Sequence, residues 1–117
     1  MRRKILIVDD DPSFRRLVRA LLTARGYLVV GEAASAGEGL ALAAAVQPDA
    51  VLLDVDLPDG DGLAVAARLS ADGRTQVILT SSDPTAAPKR LLRHSGAAGF
   101  VPKEDLGGRA LEVYLTR

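Results

Sequence analysis

The sequence alternates between two periods of apolar residues, and this alternation limits the folds that are open to the chain. Short β-branched runs such as Lys4–Val8 have the composition of strands that are buried on both faces. Between these runs, apolar residues return every three or four positions, as they do in amphipathic helices. The pattern predicts a doubly wound α/β domain, in which helices cover both faces of one parallel sheet.

Five strands and five helices are predicted, and they alternate along the chain. The strands are Lys4–Val8, 27–33, 50–53, 76–80 and 99–101. The first helix has Asp11 as its N-cap and Pro12 at its first position, and Gly26 closes it. Its apolar face is Phe14, Leu17, Val18, Leu21 and Leu22. The other helices are 35–46, 62–70, a short one from near Pro88 to Gly96, and 104–115.

Composition excludes several classes of protein. The 117 residues predict one globular domain over 1–117, and the 15 basic and 15 acidic residues cancel, so no bulk charge indicates nucleic acid or a membrane surface. The absence of cysteine excludes thiolate metal sites, and the single histidine, His94, excludes a multi-histidine zinc site. Neither a membrane span nor a signal peptide is predicted, and the expected location is cytoplasmic.

Polar residues follow four of the predicted strands, at the sheet edge where open α/β sheets bind their ligands. Asp9 and Asp10 come after the first strand, Asp54 after the third, Thr80 at the end of the fourth and Lys103 after the fifth. Crowded carboxylates repel one another unless a cation or a proton intervenes. A few carboxylates suit Mg²⁺, which keeps some waters and shares phosphate oxygens. With a lysine and a hydroxyl opposite, the set predicts a site for a phosphoryl group.

Five of these residues carry a resemblance to a known family. The acidic pair Asp9-Asp10, Asp54 after an apolar strand, Thr80 after the next strand and Lys103 after the last resemble the receiver domains of two-component response regulators. Pro58, Gly62 and the segment 99–103 fit the same pattern, over essentially the whole chain. The resemblance implies a flavodoxin-like sheet with strand order 2-1-3-4-5.

The resemblance also implies a role for each acidic residue. Asp54 would be the phosphoacceptor and a metal ligand, and the phosphoryl group would come from a sensor histidine kinase or a histidine phosphotransfer protein. Asp10 would bind Mg²⁺ directly, Asp9 mostly through water, and Asp56 through its backbone carbonyl. A receiver of this kind signals and is not an enzyme in the ordinary sense, although it promotes its own phosphorylation and slow dephosphorylation.

Further roles are implied for residues around the acceptor. Lys103 would pair with Asp54 and then with the phosphoryl oxygens, while Thr80 would turn inward and hydrogen-bond the attached group. Phe100, where tyrosine is common in the family, would be the aromatic switch that changes the face made by the fourth helix, fifth strand and fifth helix. A homodimer through that face is one expected assembly. Asp56 and Ser82 would tune the rate of phosphate loss.

Two alternative functions are compatible with the same residues. One is a pseudo-receiver, an interaction module that needs no phosphate. The other is a small phosphatase with a phospho-aspartyl intermediate, for which Asp56 would be the second catalytic carboxylate, two positions after the nucleophile. The chain ends where the fifth helix would end, so the expectation is either a stand-alone receiver or one trimmed from a longer regulator.

Other polar residues are given structural roles. Asp59 and Asp61 belong to a turn, because Pro58 and Val65 break the EF-hand calcium template. His94 is expected on the surface. The arginines of the first helix, Arg15, Arg16 and Arg19, are expected to form a solvated face, with kinase docking as the minority interpretation.

Overall fold

A computed structural model describes residues 2–86 and 89–115 of the chain. Strands and helices alternate along it, as the periodicity predicts. The strands are β1 (Lys4–Val8), β2 (Leu28–Ala33), β3 (Ala50–Asp54), β4 (Gln76–Ser81) and β5 (Gly99–Pro102). The helices are α1 (Pro12–Ala24), α2 (Ala36–Val46), α3 (Gly62–Ser70), α4 (Lys89–Ser95) and α5 (Glu112–Leu115). The predicted start of the fourth helix, near Pro88, lies outside the described residues.

The strands described form one parallel sheet in the order β2-β1-β3-β4-β5, which confirms the predicted fold class. Alternate side chains of the strands feed two apolar cores, one on each face of the sheet. Leu6, Val51 and Leu79 pack beneath α2, α3 and α4. Ile7, Leu52 and Ile78 pack beneath α1 and α5. Burial on both faces explains why the strands read as continuous apolar runs.

Side-chain caps explain where the helices begin. Asp11 accepts a hydrogen bond from the backbone N–H of Ser13, and Pro12 follows it, so the predicted N-cap of α1 is confirmed. Ser35 caps α2 by accepting from the N–H of Glu38 at 3.1 Å. The Glu38 carboxylate reaches back to the N–H of Ala34 at 3.0 Å, in the manner of a capping box.

Several details of the predicted elements are wrong. The strands β3, β4 and β5 each extend one residue beyond the predicted end, to Asp54, Ser81 and Pro102. β2 begins at Leu28 rather than Tyr27. Leu17 is 70% exposed, because α1 covers the sheet with a narrower stripe than its apolar residues occupy; Val18 and Leu22 are the buried part of that stripe. The predicted helix 104–115 is also not continuous.

The segment after β5 is a 3₁₀ turn, Lys103–Asp105, then further turns, and only Glu112–Leu115 is α-helical. The pair Gly107-Gly108 explains the break, since each glycine costs a helix interior about 1 kcal/mol relative to alanine. Leu106, Leu111 and Leu115 are nevertheless buried against α1, and Arg25 donates to the carbonyl of Gly107 at 2.9 Å. Tertiary packing therefore holds an irregular segment where a helix was predicted.

In the part of the chain that the structure describes, no helix has the length and apolar character needed to cross a membrane.

Gly62 at the start of α3 provides a test of how tightly the loop after β3 is packed. A Cβ at this position would collide with the Cα of Val55 and lie 2.8 Å from the carbonyl oxygen of Asp54. Because both obstacles are backbone, we expect Gly62→Ala to destabilise the fold by about 1–3 kcal/mol. Urea denaturation measures the change. Gly107→Ala is the matched control, since a Cβ there meets nothing within 4 Å, and an equal loss in both variants would contradict the packing argument.

Candidate functional site

The register of the parallel strands brings the predicted site residues to one edge of the sheet. Asp54 at the end of β3 lies beside Thr80 of β4, and Thr80 lies beside Val101 of β5. On the other side, Val8 pairs with Leu53, so the chain leaves β1 into Asp9 next to Asp54. Lys103 follows the last residue of β5. Residues far apart in sequence therefore meet because their strands end at the same edge.

Three carboxylates form the centre of the site. Asp9, Asp10 and Asp54 each present a carboxylate oxygen, and these oxygens lie within 4.8 Å of one another. Asp9 and Asp54 are buried, whereas Asp10 is exposed. Backbone N–H groups support the two buried carboxylates: that of Asp11 donates to Asp9 at 2.9 Å, and that of Asp56 donates to Asp54 at 2.9 Å. One oxygen of each buried carboxylate is thus held, and the other faces the cluster.

Lys103 is the cation of this site. Its Nζ lies 2.8 Å from Oδ2 of Asp9 and donates to Oδ2 of Asp54 at 3.4 Å. The expected pairing with Asp54 is therefore present, but the contact with Asp9 is the shorter one. On another side, Nζ lies 4.1 Å from the centroid of the Phe14 ring. The ammonium is thus surrounded by two carboxylates and an aromatic face.

The electrostatics follow from burial and from this arrangement. Burial raises the pKa of the Asp54 carboxyl, and the charge of Asp9 adds to the rise, although the N–H of Asp56 and the charge of Lys103 oppose it. Burial disfavours the charged form of Lys103, but the two carboxylates outweigh that penalty and raise its pKa. Lys103 therefore stays charged at neutral pH, while burial makes ionisation of Asp54 less favourable in the folded protein than in water.

Thr80 lies in β4, and Phe100 lies in the adjacent strand β5. Thr80 is 1% exposed, and among the described residues its Oγ1 has no hydrogen-bond partner. A buried hydroxyl without a partner is unfavourable, so an acceptor that entered the site could take a hydrogen bond from Thr80 and remove that cost. Phe100 is half-buried and packs against the core beneath α3 and α4.

Asp56 and Ser81 connect the loops after β3 and β4. Ser81 is fully buried, and its hydroxyl donates to Oδ2 of Asp56 at 2.9 Å while accepting from the N–H of Asp83 at 3.0 Å. The Asp56 side chain is therefore held by a hydroxyl of the neighbouring strand. Ser82, the other residue predicted to tune phosphate loss, is exposed. The structure brings Asp56 to the rim of the site and turns Ser82 to solvent.

The acidic turn after β3 has a structural role. The Asp59 carboxylate accepts hydrogen bonds from the N–H groups of Ala36 and Gly37, at 2.7 and 3.1 Å, in the first turn of α2. These bonds lower the pKa of Asp59. Asp61 caps α3 by accepting from the N–H of Leu63. The turn thus ties the loop below the site to two helices, and the interpretation of it as a turn agrees with these contacts.

Sequence reasoning missed three contributors to the site. Ser81 is assigned no role by the sequence pattern. Phe14 is predicted only as part of the apolar face of the first helix. Arg15 was expected in a solvated face, but its Nη1 donates to the backbone carbonyl of Asp9 at 2.6 Å and its Nε pairs with Glu32 at 3.2 Å. Apolar periodicity does not predict these contacts, because each depends on how a side chain of one element meets a neighbouring loop or strand. His94 is exposed, as expected.

A cavity of about 390 Å³ lies at the opposite edge of the sheet, beside Gln47, Asp49 and Arg74. It is remote from the acidic cluster. Its acidic side chains already serve their own loops, since Asp49 accepts from the N–H of Lys4 and Asp72 from those of Arg74 and Thr75. The polar chemistry of the chain is thus concentrated at the carboxyl edge.

The fold and the site together define a class of protein: a doubly wound α/β domain with an acidic cluster, a lysine and a buried hydroxyl at the strand ends. The family description "Response regulator receiver domain" matches residues 5–109. The chain belongs to the response regulator receiver family of two-component signal transduction.

Individual relatives agree with this assignment. The transcription regulator BvgA of Bordetella pertussis is 41% identical over 107 residues, which are 90% of this chain and 51% of that protein. A two-component response regulator of the LuxR family from Aurantimonas superposes with a TM-score of 0.88 at 32% identity, covering 99% of this chain and 86% of that one. The signal receiver domain of the response regulator NarL from Mycobacterium tuberculosis gives 0.82 at 34% identity, covering 99% and 98%. This chain spans about half the length of the curated regulators it matches.

The raised pKa of Asp54 leads to a stability prediction for metal-free protein. Because the pKa is higher in the folded state than its ordinary value of 3.8, the fold loses stability as the pH rises through the interval between the two. The loss is complete above the folded pKa and absent below the unfolded one. We expect Asp54→Asn to stabilise the protein at pH 7 by on the order of 1 kcal/mol, since two buried carboxylates then no longer share one lysine.

The measurement is urea denaturation at several pH values in a chelating buffer. The stabilisation should shrink as the pH falls toward 4. Asp56→Asn is the matched control, because that carboxylate lies on an exposed residue and an amide oxygen can still accept from Ser81. A gain from Asp54→Asn that does not change with pH would contradict the electrostatic explanation.

Proposed function

We propose that the chain accepts a phosphoryl group on Asp54 and thereby acts as a switch in two-component signalling. The observation that carries the proposal is the position of Asp54 at one sheet edge with Asp9, Asp10, Lys103 and the hydroxyl of Thr80, which has no hydrogen-bond partner among the described residues. An acceptor carboxylate, a set of metal ligands, a cation and a hydroxyl donor are what phosphoryl transfer to a carboxylate requires.

The reaction is a substitution at phosphorus. An oxygen of the Asp54 carboxylate attacks the phosphoryl group of a phosphohistidine on a sensor kinase or a histidine phosphotransfer protein. The new O–P bond forms while the N–P bond breaks, and the imidazole leaves with the bonding electron pair and takes up a proton. Asp54 becomes an acyl phosphate, which water later hydrolyses. The second Asp54 oxygen keeps its hydrogen bond from the N–H of Asp56, which holds the carboxylate in position.

The donor set of the site fits Mg²⁺. Carboxylate oxygens are its preferred protein ligands, and three of them converge here, with the ammonium of Lys103 beside two of them. Asp10 and Asp54 would bind the ion directly, Asp9 mostly through water, and Asp56 through its backbone carbonyl. When bound, the ion offsets the charge of the carboxylates and of the incoming phosphoryl oxygens.

Lys103 and Thr80 respond to the attached group. The ammonium now lies between Asp9 and Asp54, so a short movement of its side chain suffices to pair it with a phosphoryl oxygen on Asp54. Thr80 supplies a hydroxyl that has no competing bond among the described residues. Its inward turn would be coupled to Phe100 on the adjacent strand, which packs beneath α3 and α4. The α4-β5-α5 face would change in consequence, and it is the proposed surface for homodimer formation.

Asp56 and Ser82 are the proposed tuners of phosphate loss. The hydrogen bond from Ser81 holds the Asp56 carboxylate at the rim of the site. The chain covers about half of its curated relatives, which include transcription regulators. Control of transcription by a longer protein that contains this domain is therefore part of the proposal.

Phosphorylation by small donors tests the proposal directly. Incubation with phosphoramidate or acetyl phosphate in the presence of Mg²⁺ should add one phosphoryl mass to the wild-type protein, detected by intact mass spectrometry. Asp54→Asn should take up none, because the amide is not a nucleophile. Asp56→Asn is the control and should still be labelled, with a changed lifetime. Labelling of Asp54→Asn at the wild-type level would overturn the assignment, and repeated turnover of p-nitrophenyl phosphate would favour the phosphatase.

A further inference from the structure

The Phe14 ring forms one wall around the ammonium of Lys103. Phe14 lies in the first turn of α1, far from Lys103 in the sequence. The centroid of its ring is nevertheless 4.1 Å from Nζ of Lys103. The ring is half-buried and packs against the core beneath α1 and α5. An ammonium at this distance from an aromatic centroid is attracted by the negative charge density of the ring face.

The two carboxylate partners of Lys103 do not by themselves define a single position for Nζ, so a further contact is required to hold it. Nζ lies nearer to Asp9, at 2.8 Å, than to Asp54, at 3.4 Å. A lysine side chain has a flexible four-carbon stem, and two acceptors on one side leave it free to settle on either or to swing toward solvent. Only 19% of the Lys103 side chain is exposed, and Phe14 contacts the ammonium itself. The ring therefore limits the positions that Nζ can adopt. Because the ring accepts no conventional hydrogen bond, the N–H donors of Lys103 remain available to the carboxylate oxygens.

We infer that Phe14 is a positioning residue for phosphoryl transfer, whose ring face holds the Lys103 ammonium beside Asp54 in readiness for the phosphoryl oxygens. The inference rests on the proposed function, since it assigns Phe14 to the same site. It differs from a packing role, because an aliphatic side chain of similar size would fill the core but offer no attraction to the cation. The aromatic ring, rather than its volume, is the property that the site uses.

Two variants separate the ring from its volume. Phe14→Leu keeps an apolar side chain without the π face, and Phe14→Tyr keeps the face. We expect Phe14→Leu to bind beryllofluoride with Mg²⁺, and to react with phosphoramidate, about 3- to 10-fold more weakly and slowly than the wild type. Phe14→Tyr should stay near the wild-type values. Leu21→Ala is the matched control, because Leu21 is half-buried in the same core on α1 and its loss should lower stability without lowering beryllofluoride affinity.

Two further readouts respond to the contact itself. In the wild type and in Phe14→Tyr, the ring current should shift the ε-methylene proton resonances of Lys103 upfield, and the shift should vanish in Phe14→Leu. In a Lys103→Met background, Phe14→Leu should cause no further loss of beryllofluoride affinity, since the cation is already gone. Should Phe14→Leu unfold, Phe14→Met takes its place, with circular dichroism as the check on folding.

The outcomes distinguish this inference from the proposed function. If the wild type is phosphorylated and Phe14→Leu reacts and binds beryllofluoride equally well, the positioning role is overturned and Asp54 remains the proposed acceptor. An equal loss from Phe14→Leu in the wild-type and Lys103→Met backgrounds assigns Phe14 to packing and also overturns it. A wild-type protein that accepts no phosphoryl group overturns both proposals.

Discussion

Two buried carboxylates share one ammonium at the edge of the sheet, and the rest of the site depends on this imbalance. Lys103 offsets part of the charge of Asp9 and Asp54, and backbone N–H groups satisfy one oxygen of each. The exposed carboxylate of Asp10 adds a third negative charge within reach. The described residues thus leave the cluster short of positive charge, and the proposed divalent cation would offset its charge before a phosphoryl group enters.

The scaffold keeps this unfavourable cluster in place by burying strands on both faces and by tying the loops together. Two apolar cores fix the sheet, so the positions of Asp54 and Thr80 follow from strand register rather than from loop conformation. Asp59 binds the first turn of α2, and Ser81 binds Asp56 across the mouth of the site. The acidic residues of the loops thus serve two purposes, since some face the site and others fasten the chain around it.

Much of the fold and the centre of the site could be predicted from the sequence, because both depend on local pattern. The β-branched runs and the caps at Asp11 and Ser35 locate most elements within a residue or two. The rule that parallel strands end at one edge then brings Asp9, Asp54 and Lys103 together. The prediction of a continuous last helix was wrong, because its apolar residues have helical spacing but Gly107-Gly108 interrupts the helix. The prediction that Leu17 lies on the buried face of α1 was wrong, because periodicity does not show how much of a helix surface the sheet covers.

The sequence by itself determined the doubly wound order of elements and the set of side chains at the strand ends, since both are carried by spacing along the chain. Tertiary structure alone decided which neighbours those side chains meet. Phe14 faces Lys103, Ser81 holds Asp56, and Arg15 binds the carbonyl of Asp9. The physical reason is that each of these contacts depends on the distance and direction between different elements, which the packing of helices on the sheet sets and which no local pattern encodes.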